Sequence, residues 1–126
     1  MNESTKILVV SGALFAGLAV MLGAFGAHGL KKSLSSEMME VYQTAVDYHF
    51  LHALGILLTG LFMLHVPESK PLLWAGVSFI AGIILFSGSL YGLSLSEIRK
   101  LGMITPVGGL AFIIGWALMA YGLYRS

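Results

Sequence analysis

The sequence contains no cysteine and few charged residues. The absence of cysteine excludes disulfide bonds, thiol nucleophiles and thiolate-bound metals. Charged residues make up 10% of the 126 residues, whereas a soluble domain usually carries about 25%. So few charges cannot cover a water-facing surface. The formal net charge of +1 provides no basic surface, and we therefore expect no nucleic-acid partner.

The sequence also lacks the motifs of common enzyme classes. It has no glycine-rich loop with a lysine to bind phosphate. Ser87 and Ser89 lie in a segment that lacks the first glycine of a nucleophile elbow. We therefore expect no catalytic residue, no cofactor and no enzymatic activity.

What the sequence does contain is four long apolar stretches. They span 20 to 26 residues each without Asp, Glu, Lys or Arg, and they lie between Lys6 and Lys31, Asp47 and Glu68, Lys70 and Glu97, and Lys100 and Arg125. A helix needs about 20 apolar residues to cross the hydrocarbon core of a bilayer. The sequence therefore predicts an all-α fold, an integral membrane four-helix bundle. One membrane domain covers residues 1–126, with spans at residues 7–27, 48–66, 72–93 and 101–123.

The longest polar segment, residues 33–47, lies between spans one and two. Ser35 or Ser36 can cap a helix there, and Glu37 and Glu40 fall in its first turns. Apolar residues on one face and polar residues on the other predict an amphipathic helix. This helix either lies at the membrane interface or continues directly into span two.

Small residues recur at helical spacing along spans one and four. Such residues let helix backbones approach closely in a membrane. We expect these rows of small residues to pack within the monomer core. The alternative is that they form the interface of a homo-oligomer. Membrane lipids are the other expected partner, and the sequence identifies no protein partner. The predicted packing positions are Gly12, Ala16, Ala19, Gly23, Gly26, Gly108 and Gly115.

Polar groups concentrate on one side of the membrane. With four spans, the loops that follow spans one and three share a side. That side holds three of the four histidines and four of the six carboxylates. It also has four Lys or Arg residues against three on the other side. The positive-inside rule then places this side in the cytoplasm and both termini outside.

The candidate polar site lies on this side. On a helix, His49 and His52 share a face, and His52 lies deeper in the membrane than Asp47. An ionisable group at that depth is a functional candidate. Three interpretations remain open: a metal site, a proton or ion relay, and hydrogen bonds that only hold helices together. The candidate residues are His28, Asp47, His49, His52 and Glu97.

Four segments of the chain resemble the signatures of one known family. They are Gly23–Leu30, Thr44–His49 with His52–Leu54, Phe86–Tyr91, and Thr105–Gly109. In this order they resemble the bacterial membrane family called domain of unknown function 423, which is related to the transmembrane protein 256 family. The resemblance implies a small four-span protein of the bacterial plasma membrane, without an established activity. It also implies a more variable position at His49, which favours His28 and His52 as site residues.

Three functions are therefore considered. The first is a non-enzymatic accessory, scaffold or lipid-interacting protein, because no catalytic constellation is present. The second is an oligomeric transporter, channel or ion relay that uses the region of His28, Asp47 and His52. The third, a membrane enzyme or metal-dependent protein, has the least support.

Overall fold

A computed structural model describes residues 1–126 and contains helices without β-strands. Helix α1 covers Glu3–Phe25 and ends in a π-helical turn, Gly26–Leu30. Helix α2 covers Ser36–Met63. The third span consists of α3 (Lys70–Gly82), a π-helical turn (Ile83–Ser87) and α4 (Gly88–Ser96). A 3₁₀ turn (Arg99–Met103) precedes α5 (Thr105–Arg125).

Four continuous helical segments are long and apolar enough to cross a membrane. They are Glu3–Leu30, Ser36–Met63, Lys70–Ser96 and Arg99–Arg125. The predicted all-α membrane bundle is confirmed. The amphipathic stretch is the first part of α2 and continues directly into the second span, which was one of the two expected arrangements.

Side chains and prolines at the helix starts explain where the helices begin. The Asn2 side chain accepts a hydrogen bond from the Thr5 amide at 2.8 Å. Ser35 and Ser69 accept equivalent bonds from the amides three residues later, at 3.2 and 3.3 Å. Pro71 and Pro106 occupy first-turn positions of α3 and α5, where the missing N–H is not needed. A side chain therefore satisfies one free amide at the start of α1, α2 and α3, and proline removes one at the start of α3 and α5.

Helices α2 and α3 form the centre of the bundle. Helix α1 packs mainly against α2, and α5 packs mainly against α3. The apolar core between the helices includes Leu8, Ile56, Leu72, Phe79 and Phe112, each at most 4% exposed. The interior is thus filled by side chains.

Glycines allow the closest backbone contacts. At Gly12, an added Cβ would lie 2.8 Å from the Leu57 backbone nitrogen. At Gly108, it would overlap the backbone of Phe86. The other predicted packing residues also lie at helix contacts or in the buried part of α1: Gly23 against Val46, Gly26 against Tyr42, Gly115 against Phe79, Ala19 buried and Ala16 half-buried against the core.

Two π-helical turns interrupt the spans. In the third span, the Gly88 amide donates to the Ile83 carbonyl, five residues earlier. Such turns are rare and often mark functional positions. Here the turn ends at Ser87, which is fully buried and donates to the Ala45 carbonyl of α2 at 2.8 Å. The local widening thus places a hydroxyl where it joins two spans.

Candidate functional site

His52 lies in the middle of the bundle and has both ring nitrogens occupied. Its Nδ1 is 2.7 Å from the Tyr48 carbonyl, and the Trp116 indole N–H donates to its Nε2 at 3.0 Å. An indole nitrogen only donates, and a carbonyl only accepts. The ring is therefore a neutral imidazole with its proton on Nδ1. In this state it joins α2 to α5.

Aromatic rings enclose the His52 imidazole. The Phe112 ring stacks on it at 3.6 Å between centroids and 10° between planes. Phe79 and Trp116 contact it at 5.5 and 5.7 Å, and Tyr48 lies parallel to it at 6.0 Å. Only 2% of His52 is exposed. Contact with water is therefore minimal.

His49 belongs to a second buried contact between helices. Its Nδ1 lies 2.8 Å from the Tyr91 hydroxyl of α4. Its Nε2 is buried without a hydrogen-bond partner of good geometry, and the backbone of Phe15 on α1 is a polar neighbour. The Phe15 ring packs edge-on against the imidazole at 6.1 Å. This histidine connects α2 with both α1 and α4.

The other three predicted site residues lie elsewhere. His28, Asp47 and Glu97 are all exposed. Asp47 accepts a hydrogen bond from the Gln43 side chain at 2.8 Å. Glu97 follows α4 with a left-handed backbone (φ 58°). No three His, Asp or Glu side chains are grouped closely enough to hold a metal ion. Asp47 is separated from the two histidines because it points away from the bundle on α2, whereas both histidines point into it.

The four signature segments contact one another in chain order. Gly23 of the first segment packs on Val46 of the second. Next to them, the Tyr42 hydroxyl donates to the Leu22 carbonyl at 2.5 Å. Between the second and third, Ser87 donates to Ala45. Between the third and fourth, the hydroxyls of Ser89 and Thr105 are 2.6 Å apart. These segments therefore form a continuous series of contacts between helices.

Two grooves flank the exposed side of α2, and Leu51 lines both. The groove between α1 and α2 has a volume of about 660 Å³, and its walls are apolar apart from Asp47. The groove between α2 and α5 has a volume of about 610 Å³, and its walls include Tyr48, His52 and Trp116. A third depression, of about 610 Å³, lies at the other end of the bundle beside the C-terminal residues. The first two grooves lie along the membrane-spanning helices.

The residues that contact the histidines are not adjacent to them in sequence. Tyr91 and Trp116 lie 42 and 64 positions from the histidines they bond. In the sequence, both aromatics are equally consistent with interface anchors. The one available signal was the polar group on each ring, because a buried Tyr or Trp usually has a hydrogen-bond partner.

Comparison with known proteins gives consistent matches. A family described as protein of unknown function (DUF423) matches residues 22–109. The UPF0382 membrane proteins of Staphylococcus epidermidis and Bacillus subtilis are each 46% identical over 114 residues, which is 90% of this chain and 92% and 93% of theirs. That of Staphylococcus saprophyticus is 42% identical over 95% of this chain and 98% of its own length.

No solved structure matches the chain. The family match contains all four signature segments, and the relatives cover nearly the whole chain. The resemblance seen in the sequence is confirmed, and no activity is attached to it. This protein belongs to the DUF423 family of bacterial membrane proteins of unknown function.

Proposed function

We propose that this protein is a non-enzymatic accessory protein of the bacterial plasma membrane that binds lipid at its surface. The groove between α1 and α2 carries the proposal. Its α1 wall is formed by Val20 and the small residues Ala19, Gly23 and Ala24, and its α2 wall includes the larger Phe50 and Leu54. A hydrocarbon chain fits this shape, because dispersion contacts with a recessed surface favour it over a flat one.

Asp47 gives this groove a charged end. Met63, the last residue of α2, is 16 residues beyond it, or about 24 Å at 1.5 Å per residue. Since the hydrocarbon core is about 30 Å thick, the carboxylate lies near the membrane boundary. The two ion pairs of the chain, Lys6 with Glu3 and Arg99 with Glu37, do not involve it. An ammonium headgroup is the complementary partner.

The experiment measures retained lipid. Wild-type protein is taken from vesicles of phosphatidylethanolamine or of phosphatidylcholine with the same chains, and bound lipid is counted by native mass spectrometry. Ala24→Phe fills the groove and should reduce bound lipid severalfold. Ala13→Phe is the matched control, since Ala13 is an exposed alanine of α1 outside the groove. Asp47→Asn should remove only the preference for the amine headgroup.

Equal lipid retention in Ala24→Phe and Ala13→Phe would contradict this proposal. Self-association is a further part of the proposal. In the most apolar stretch of the first span only 17% of the residues are buried, against 50% in the second span. In the proposed oligomer, a second copy covers part of this outer face and lipid covers the rest. We propose that both termini face outside, and the charge balance of the loops supports this orientation.

An ion relay through His28, Asp47 and His52 has less support. His52 would have to break its hydrogen bond with Trp116 to accept a proton, and His28 and Asp47 face away from it. Reconstituted vesicles test this alternative. A proton flux that His52→Ala abolishes, with the fold retained, would replace the lipid-binding proposal.

A further inference from the structure

The groove between α2 and α5 differs chemically from the groove between α1 and α2, which is proposed to bind lipid. We call it the aromatic groove, and its walls include Tyr48, His52, Phe86, Phe112 and Trp116. No charged side chain lines it. It is therefore unsuited to a charged headgroup, and a separate ligand class has to be considered.

The aromatic groove offers flat surfaces. Tyr48 packs against Phe86 at 4.7 Å, and Phe86 packs against Phe112 at 5.3 Å. Phe112 in turn stacks on His52. Trp116 and Tyr48, 38% and 44% exposed, present ring surface at the rim. Aromatic faces and edges favour another planar ring over a flexible chain.

The polar groups restrict the ligand further. Both nitrogens of His52 and the indole N–H of Trp116 are already bonded to each other or to the backbone. The backbone carbonyl of Tyr48 is bonded to His52, whereas its side-chain hydroxyl makes no hydrogen bond within the chain. Tyr48 follows Asp47 and is 44% exposed, so its hydroxyl is free to donate to a ligand that lies in the groove near the membrane boundary. The ligand is therefore uncharged and carries an acceptor such as a carbonyl oxygen.

The position of the groove indicates a ligand that resides in the membrane. Its lining extends along α5 from Pro106 to Trp116, ten residues or about 15 Å of helix. This is about half the thickness of the hydrocarbon core. Leu110 and Ile113, both exposed, continue the lining with aliphatic surface. A hydrocarbon tail would lie against them.

From these features we propose that the aromatic groove binds an alkyl- or isoprenoid-tailed quinone, with a quinone carbonyl accepting the hydrogen bond from the Tyr48 hydroxyl. The inference concerns binding alone, and it involves a different groove from the lipid proposal. Either can therefore fail without the other.

Tryptophan fluorescence provides a direct test because the chain has two tryptophans. Trp116 lines the groove, whereas Trp74 is exposed on α3, outside the groove lining. Trp74→Phe leaves Trp116 as the single reporter, and Trp116→Phe leaves Trp74. Both variants are reconstituted in vesicles and titrated with an alkyl-tailed benzoquinone. We expect saturable quenching of Trp116 and only a linear, collisional response of Trp74.

Two further variants are made in the Trp74→Phe background. Tyr48→Phe keeps the ring but removes the donor, and should weaken binding up to about tenfold. Gly109→Leu projects into the groove, where the nearest atoms to an added Cβ are those of the Phe86 ring at 3.8 Å, and should abolish saturation. Gly17→Leu is the matched control, since Gly17 has open space around it, and it should bind like its parent.

The opposite results would overturn the inference. Linear quenching of Trp116, indistinguishable from that of Trp74, would mean that the quinone only partitions into the bilayer. Equal displacement of the quinone by an alcohol with the same alkyl chain would mean that a lipid chain occupies the groove. Unchanged affinity in Tyr48→Phe would remove the assigned hydrogen bond and, with it, the ligand class.

Discussion

Replacing Gly108 with alanine should separate α5 from the third span. The added Cβ would overlap the Phe86 backbone nitrogen and come within 2.7 Å of the Leu85 carbonyl carbon and the Phe86 Cα. Ordinary contacts of this kind begin at about 3.4 Å. Backbone atoms cannot move aside as a flexible side chain can. The helices must therefore move apart by roughly 1 Å to restore ordinary contacts.

The magnitude follows from two losses. Overpacking of a well-packed contact costs about 1–3 kcal/mol, because even a gap of about 0.5–1 Å forfeits a quarter to a half of each dispersion contact. The neighbouring hydrogen bond between Ser89 and Thr105, now 2.6 Å, would also stretch, and such bonds in membrane proteins average about 0.6 kcal/mol. We expect Gly108→Ala to lower the free energy of unfolding by about 2–4 kcal/mol.

The assay is reversible unfolding in mixed micelles by titration with sodium dodecyl sulfate, followed by circular dichroism. Gly17→Ala is the control. Its Cβ meets nothing within 4 Å, and its helix propensity improves by about 1 kcal/mol at most. The reasoning is refuted if Gly108→Ala unfolds within about 0.5 kcal/mol of wild type, a difference typical of a surface change, or if both variants lose the same stability.

Two hydrogen bonds give further predictions in the same assay. Tyr91→Phe should lower the free energy of unfolding by about 1–2 kcal/mol, because it leaves the buried His49 Nδ1 without its partner; an unchanged midpoint would argue against this joint. Ser87→Ala should lower it by about 0.5–1 kcal/mol, because the Ala45 carbonyl keeps its helical hydrogen bond. A loss well above that range would show that Ser87 has a role beyond this bond.

The membrane fold was predictable because charge and apolarity act over whole helices. A charge anywhere between Lys70 and Glu97 would have argued against a span there, and none is present. The cap at Ser35 follows from local chemistry, so it was predictable too. The π-helical turn at 83–87 was not. It depends on the fit of the third span against α2 and α5, which no local pattern encodes.

The candidate site was less predictable than the fold. The depth of His52 made it a functional candidate, yet its environment depends on Trp116, 64 residues away. Spacing along α2 shows which residues share a face, but not which helix that face meets. We expected one polar cluster that would include both Asp47 and the histidines, but Asp47 is exposed and the histidines are buried. Helix rotation within the bundle separates them.

The contacts of the signature segments indicate where to look for function. Ser87, Ser89 and Gly108 all have a packing or hydrogen-bonding role between helices. A residue whose contacts are all internal is not free to act on a substrate. Asp47 and Tyr48 belong to the same segments but are exposed. Asp47 lines the groove between α1 and α2, and Tyr48 lines the groove between α2 and α5. The second segment therefore connects the packed interior to both grooves. Asp47→Asn and Tyr48→Phe keep the size of the side chain and the ring contacts of Tyr48, so they should alter ligand binding while leaving the contacts between helices intact.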